Sequence, residues 1–144
     1  MTTEREGLKL IVSGSRTLGE RPEGTGAEWI KRGEDERAEI IKVLNWITYS
    51  LTVRAVLHGA CPTGADAIAD KWAEGKFKII TFPADWNGSG KKAGPLRNKH
   101  MAESGDFLVA FWDGKSAGTK SMIAEARKAG VHSYIHYMTP RKEG

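Results

Sequence analysis

The sequence predicts an α/β fold, a single Rossmann-like doubly wound domain with a five-stranded, mainly parallel sheet flanked by helices. Three observations point there. Short apolar, β-rich runs alternate with segments of helical spacing, each run ends in glycine, proline or small polar residues, and the runs are nearly continuously apolar, as strands buried on both faces require. A chain of 144 residues can bury one sizeable core but is short for two ordinary domains. One domain over 1–144 is therefore expected, with flexible tails at 1–6 and 139–144.

In chain order, the strands are expected at Leu8 to Val12, Val53 to Leu57, Phe77 to Phe82, Phe107 to Phe111 and Val131 to Tyr137. Between the first two, Thr17 to Gly33 is rich in glycine, contains Pro22 and has little periodicity, so it reads as a mobile loop, either a lid or a surface insertion. The next helix is marked by the stripe Ala38, Ile41, Leu44, Ile47 and Leu51. Ala65, Ile68, Ala69 and Trp72 mark a second helix, and Met122, Ile123 and Ala126 the inward stripe of a later one. With right-handed crossovers, the ligand site of such a fold lies beyond the carboxyl ends of the strands, where strand order reverses.

Four strand-to-helix loops carry the residues suited to that site. In Ser13-Gly14-Ser15-Arg16, Gly14 permits close backbone approach, Ser15 offers a hydroxyl and Arg16 pairs with phosphate. The second loop runs from His58 to Asp66. Gly59, Gly64 and Ala65 keep it bare, so amides at the following helix N-terminus can hold an anion while Asp66 meets ribose hydroxyls or a base edge. Thr63 and Asp66 also have the spacing of a capping box, which is the structural alternative, and His58 is either a ligand contact or a hydrogen-bonded structural residue.

The third loop ends in Gly94-Pro95-Leu96-Arg97-Asn98. Pro95 suits the first helical position, which places Arg97 and Asn98 in the first turn beside a bound anion; Asp85 and Trp86 upstream either grip a base or sugar or, for Trp86, pack. Lys91 and Lys92 read as solvated. The fourth loop, Trp112 to Thr119, offers Ser116 and a second amide cradle at Gly118-Thr119, with Thr119 capping the helix and presenting its hydroxyl to phosphate. Neither a Walker A loop nor a GxGxxG fingerprint is present.

Composition narrows the partners. No apolar run approaches a membrane span and no signal-peptide stretch opens the chain, so a cytoplasmic protein without a membrane partner is expected. The single cysteine, Cys61, fits a reducing compartment and cannot form an intrachain disulfide or a cysteine-based zinc site; no metal and no cofactor are expected. The formal charge of +4 suits a small anion. Nucleic acid is the less favoured partner because acidic residues interleave with the basic ones.

Taken together, Gly14-Ser15-Arg16, His58-Gly59 through Gly64-Ala65-Asp66, Gly94-Pro95-Leu96-Arg97-Asn98 with Met101, and Ser116-Ala117-Gly118-Thr119 resemble the SLOG superfamily, with the YspA/YpsA-related (DUF2493) family as the nearest branch. The resemblance spans nearly the whole chain in the right order. It implies a Rossmann-like fold that binds nucleotides or their derivatives, and a homo-oligomer. The superfamily also includes the lonely-guy phosphoribohydrolases, whose arginine and methionine are similar to Arg97 and Met101. Their Pro-Gly-Gly-x-Gly-Thr loop and nearby glutamate are replaced here by Lys115-Ser116-Ala117-Gly118-Thr119 and Lys120-Ser121-Met122, and Glu125 stands a further helical turn away.

The resemblance thus supports a binding pocket more firmly than glycosidic cleavage, which needs a carboxylate near the sugar. The first expectation is a sensor or sequestering protein for a nucleotide-derived small molecule. The second is a nucleotide N-glycosidase, with Arg97, Asp66, Asp85, Asp113 and Glu125 as candidate catalytic residues. A third, single-stranded DNA binding, follows from the basic character and from the DprA relatives of the superfamily.

Overall fold

In the computed structural model, residues 6–20 and 26–139 are described. The five strands are β1 Leu8–Gly14, β2 Val53–His58, β3 Lys78–Thr81, β4 Phe107–Trp112 and β5 His132–Tyr137. All four pairings are parallel and the order is β3-β2-β1-β4-β5. The order reverses between β1 and β4, so the carboxyl ends of those two strands frame the switch point.

Helices cover both faces. On one side lie α1 (Ala27–Ser50) and α2 (Gly64–Ala73), which enclose Leu10, Val12, Val56, Val109 and Phe111. On the other lie α4 (Ala93–Ser104) and α5 (Ala117–Lys128), which enclose Ile11, Leu57, Leu108 and Ala110. Successive β1 residues thus feed opposite cores, which is why the strand reads as one apolar run. The short helix α3 (Trp86–Ser89) and a 3-10 turn, Gly90–Lys92, lead into α4.

Two expectations change. The loop expected from Thr17 to Gly33 gives way to helix at Ala27, and 21–25 lie outside the described residues, as do the expected tails apart from Glu6 and Thr139. Mixed charge concealed the helix because its charges make fixed contacts. Glu36, buried, accepts from the Gly19 N–H at 2.9 Å, and Arg37 donates to the Gly19 carbonyl at 2.9 Å. Gly33 lets α1 approach that turn, since a Cβ there would lie 3.0 Å from the Gly19 oxygen.

The second change follows from the first. Anchored at Gly33 and Glu36, α1 buries Ile40, Val43, Leu44 and Ile47, while Ala38 is exposed and Ile41 and Leu51 pack at the margin. The stripe is rotated from the expected one. No helix among the described residues is long and apolar enough to cross a membrane.

Candidate functional site

A small cavity of about 130 Å³ opens at the switch point, walled by the β1 exit, the β2 exit, α4 and the N-terminus of α5. It gathers Gly14, Ser15, Arg16, Gly59, Asp66, Arg97, Asn98, Ser116, Gly118 and Thr119 from the four loops. His58, Gly64, Ala65, Gly94 and Pro95 are not in its wall. Ser13, which the first loop contains, Met101, which the resemblance pairs with Arg97, and Cys61 also line it. Met101 continues the face of α4 that carries Arg97 and Asn98.

The N-terminus of α2 is crossed by the β1 exit, which takes one of its amides. The Ala65 N–H donates to the Ser15 carbonyl at 3.2 Å, and the Thr63 hydroxyl donates to the Arg16 carbonyl at 2.7 Å. Gly64 has φ +75°, and a Cβ there would run into the Ser15 oxygen and the Arg16 backbone. The small residues of this loop therefore serve the passage of the β1 exit across α2. The capping-box alternative does not form either, since Asp66 accepts from the Cys61 N–H at 3.2 Å instead of turning back to Thr63.

His58 is held from both sides. Its Nδ1 accepts from the Ala60 N–H at 3.0 Å, which assigns the ring proton to Nε2, 2.8 Å from Asp70 Oδ1. It is buried, with no ring nitrogen left for a ligand.

Winding into α4 begins upstream of the expected start. The 3-10 turn runs directly into Ala93, so Pro95 is the third helical residue and Arg97 and Asn98 belong to the second turn. Arg97 reaches across the cavity floor by its side chain. Its Nη1 donates to the Gly59 carbonyl at 2.7 Å and, longer, to the Phe82 carbonyl at 3.4 Å, while Nε donates to Asn98 Oδ1 at 2.9 Å. The absent side chain of Gly59 leaves the room that the guanidinium fills. Asn98, buried, passes the connection on through Nδ2 to Ser121 Oγ at 3.2 Å and the Gly118 carbonyl at 3.4 Å. One chain of hydrogen bonds thus ties the β2 exit to the start of α5.

At α5 the cap is Ser116, and Thr119 is buried inside the first turn, its hydroxyl directed to Ser116 Oγ at 3.3 Å. Among the described residues nothing accepts from the amides of Ala117, Gly118 or Thr119. Free N–H groups at the positive end of a helix suit an anion, and Gly118 and Thr119 line the cavity. The guanidinium of Arg16, an exposed residue that also lines the cavity, has no hydrogen-bond or ion-pair partner among the described residues.

The candidate carboxylates separate clearly. Asp85 accepts from the Gly88 N–H at 3.0 Å and caps α3. Asp113 accepts from the Lys115 and Ser116 N–H groups, each at 2.8 Å. Partial burial alone would raise the Asp113 carboxyl, but those donors outweigh it and hold it below its ordinary value. Glu125 pairs with Lys128 at 3.3 Å. Only Asp66 lines the cavity. Burial raises its carboxyl above the ordinary value, and the Cys61 N–H and the Arg97 charge reduce that rise without cancelling it.

Because the folded protein holds the Asp66 proton more tightly than the unfolded chain, the stability it contributes is complete below the unfolded carboxyl value of about 3.9 and is lost as pH rises through the raised value. Asp66→Asn is expected to flatten that part of the stability profile. Urea denaturation of both proteins across the acidic range checks it, and parallel profiles would show that Asp66 is not the group responsible.

No group of three or more His, Cys, Asp or Glu side chains able to hold a metal ion occurs among the described residues.

Residues 8–88 match the model of the family described as YspA, cpYpsA-related SLOG. That match contains β1, β2 and their exits and stops short of Arg97 and the α5 amides. Over 83 residues the chain is 46% identical to Gene 61 protein of Mycobacterium phage D29, covering 53% of this chain and 66% of that protein, just under two thirds of the relative's length. No solved structure matches the chain.

Proposed function

The chain belongs to the YspA, cpYpsA-related SLOG family, and from that premise we propose that it binds a nucleotide or nucleotide-derived small molecule by its sugar-phosphate end, as a sensor or sequestering protein. One observation carries the reading. Gly118 lies in the first turn of α5 with nothing within 4 Å of where a Cβ would stand, and it has no left-handed backbone. The fold does not require glycine there, and alanine is the better helix former by about 1 kcal/mol. A ligand that must approach the amides of Ala117, Gly118 and Thr119 does require it.

The cavity is also bipolar. The α5 amides and Arg16 suit phosphate, whereas Asp66, an acceptor when ionised, suits sugar hydroxyls. A volume of about 130 Å³ is below the about 300–1,000 Å³ of a typical small-molecule pocket. On this reading the phosphate end of the ligand enters the cavity and the rest extends past its rim.

Gly118→Ala should leave stability within about 1 kcal/mol of the parent, or raise it, while weakening nucleotide binding. Denaturation and titration calorimetry on the same protein separate the two effects; unchanged affinity would remove phosphate from α5. To test the function itself, pure protein is incubated with AMP, NAD and ADP-ribose, and both the solution and the ligand extracted from the denatured protein are analysed by mass spectrometry. Intact nucleotide retained by the protein supports the proposal, and no retention of any of the three rejects it. Free base and sugar phosphate in solution would replace binding with N-glycosidic hydrolysis and direct the search for its carboxylate to Asp66.

A further inference from the structure

We infer that Trp86 is the platform on which the aromatic base of the ligand stacks, so that the site takes a nucleoside 5'-phosphate or its derivative in preference to a plain sugar phosphate. This rests on the sugar-phosphate reading of the cavity given above and adds what lies at its rim.

On α4, Arg97, Asn98 and Met101 line the cavity. Gly94 precedes them at helical spacing, so it extends the same face by one turn toward the start of α4. The indole of Trp86 lies on Gly94: a Cβ at that glycine would be 3.3 Å from Trp86 Cη2. The ring is thereby placed one helical turn beyond Arg97 on the face that walls the cavity.

Apart from its contact with Gly94, Trp86 is left largely open. It is 55% exposed. Trp72 and Trp112 donate their indole N–H groups to Asn45 and to the Ser116 carbonyl, and Trp46 packs edge-on against Tyr134. Trp86 has neither a hydrogen bond from its indole nor an aromatic partner among the described residues. A half-exposed indole one helical turn along α4 from the residues that line the cavity offers a surface for a flat apolar ring. Stacking there tolerates any base, because every base has a π face. The site would then select for the presence of a base more than for its identity.

The experiment is titration calorimetry of AMP and ribose 5-phosphate against the full chain, Trp86→Ala and Trp86→Phe. The parent should prefer AMP by between about 5- and 150-fold, the range base stacking on an aromatic side chain supports. Trp86→Ala should abolish the preference and leave ribose 5-phosphate affinity unchanged, and Trp86→Phe should keep most of it. The inference is overturned if Trp86→Ala retains the preference, if it weakens both ligands equally, or if the parent binds both equally well; the last result leaves the cavity reading intact. Failure of the parent to bind either compound removes the cavity reading and this inference with it.

Discussion

Arg97→Ala is expected to weaken nucleotide binding by about 10- to 150-fold, the effect of losing about 1.5–3 kcal/mol of charge-assisted hydrogen bonding. The substitution withdraws a positive charge from the cavity and also uncouples its parts. Gly59 loses the donor to its carbonyl, Asn98 loses the Nε contact that orients its amide, and Asp66 loses a compensating charge beside it. Without that charge the Asp66 carboxyl is pushed further above its ordinary value. Stability should fall as well, by about 1–3 kcal/mol for buried acceptors left without donors. Arg97→Lys should recover part of the binding, since one ammonium restores the charge and cannot serve Gly59 and Asn98 together. Calorimetry and denaturation on both variants check this, and an Arg97→Ala protein with undiminished affinity would place the ligand elsewhere.

Gly64→Ala is expected to destabilise the fold by about 2–5 kcal/mol, combining left-handed strain with overpacking against backbone that cannot move aside. Its Cβ would meet the Ser15 carbonyl and the Arg16 backbone at the point where the β1 exit crosses α2. The Ala65-to-Ser15 and Thr63-to-Arg16 hydrogen bonds pass through that same contact. The contrast with Gly118→Ala is the informative part. One glycine is demanded by the chain and the other, on the proposed reading, by the ligand, so the first variant should fail in denaturation and the second only in binding.

That contrast also marks how far the sequence could be read. The central strands were legible because burial on both sheet faces writes itself as a continuous apolar run, and β4, Phe107–Trp112, shows it plainly, whereas the edge strand β5 is only partly buried and interrupts its apolar residues with His132, Ser133 and His136. The switch-point location followed from topology alone. The start of α1 was not legible, because Glu36 and Arg37 both bond to backbone atoms of Gly19, a contact that no local pattern encodes. Gly64 and Gly118 look alike in sequence, each small and each at a helix start. Only three-dimensional proximity shows that Ser15 and Arg16 press on one while open space faces the other. Spacing likewise could not choose among Asp66, Asp85, Asp113 and Glu125. Asp85 and Asp113 are committed to nearby N–H groups and Glu125 to Lys128, which leaves Asp66 at the cavity.

The central claim is that phosphate sits on the N-terminus of α5 at the switch point. Titration of the isotopically labelled chain with AMP, followed through its backbone amide resonances, tests that claim most directly. The largest shifts are expected at Ala117, Gly118 and Thr119, with smaller ones at Gly59 and Arg16. Shifts confined to residues remote from this cavity, with the α5 amides unmoved at saturation, would contradict it.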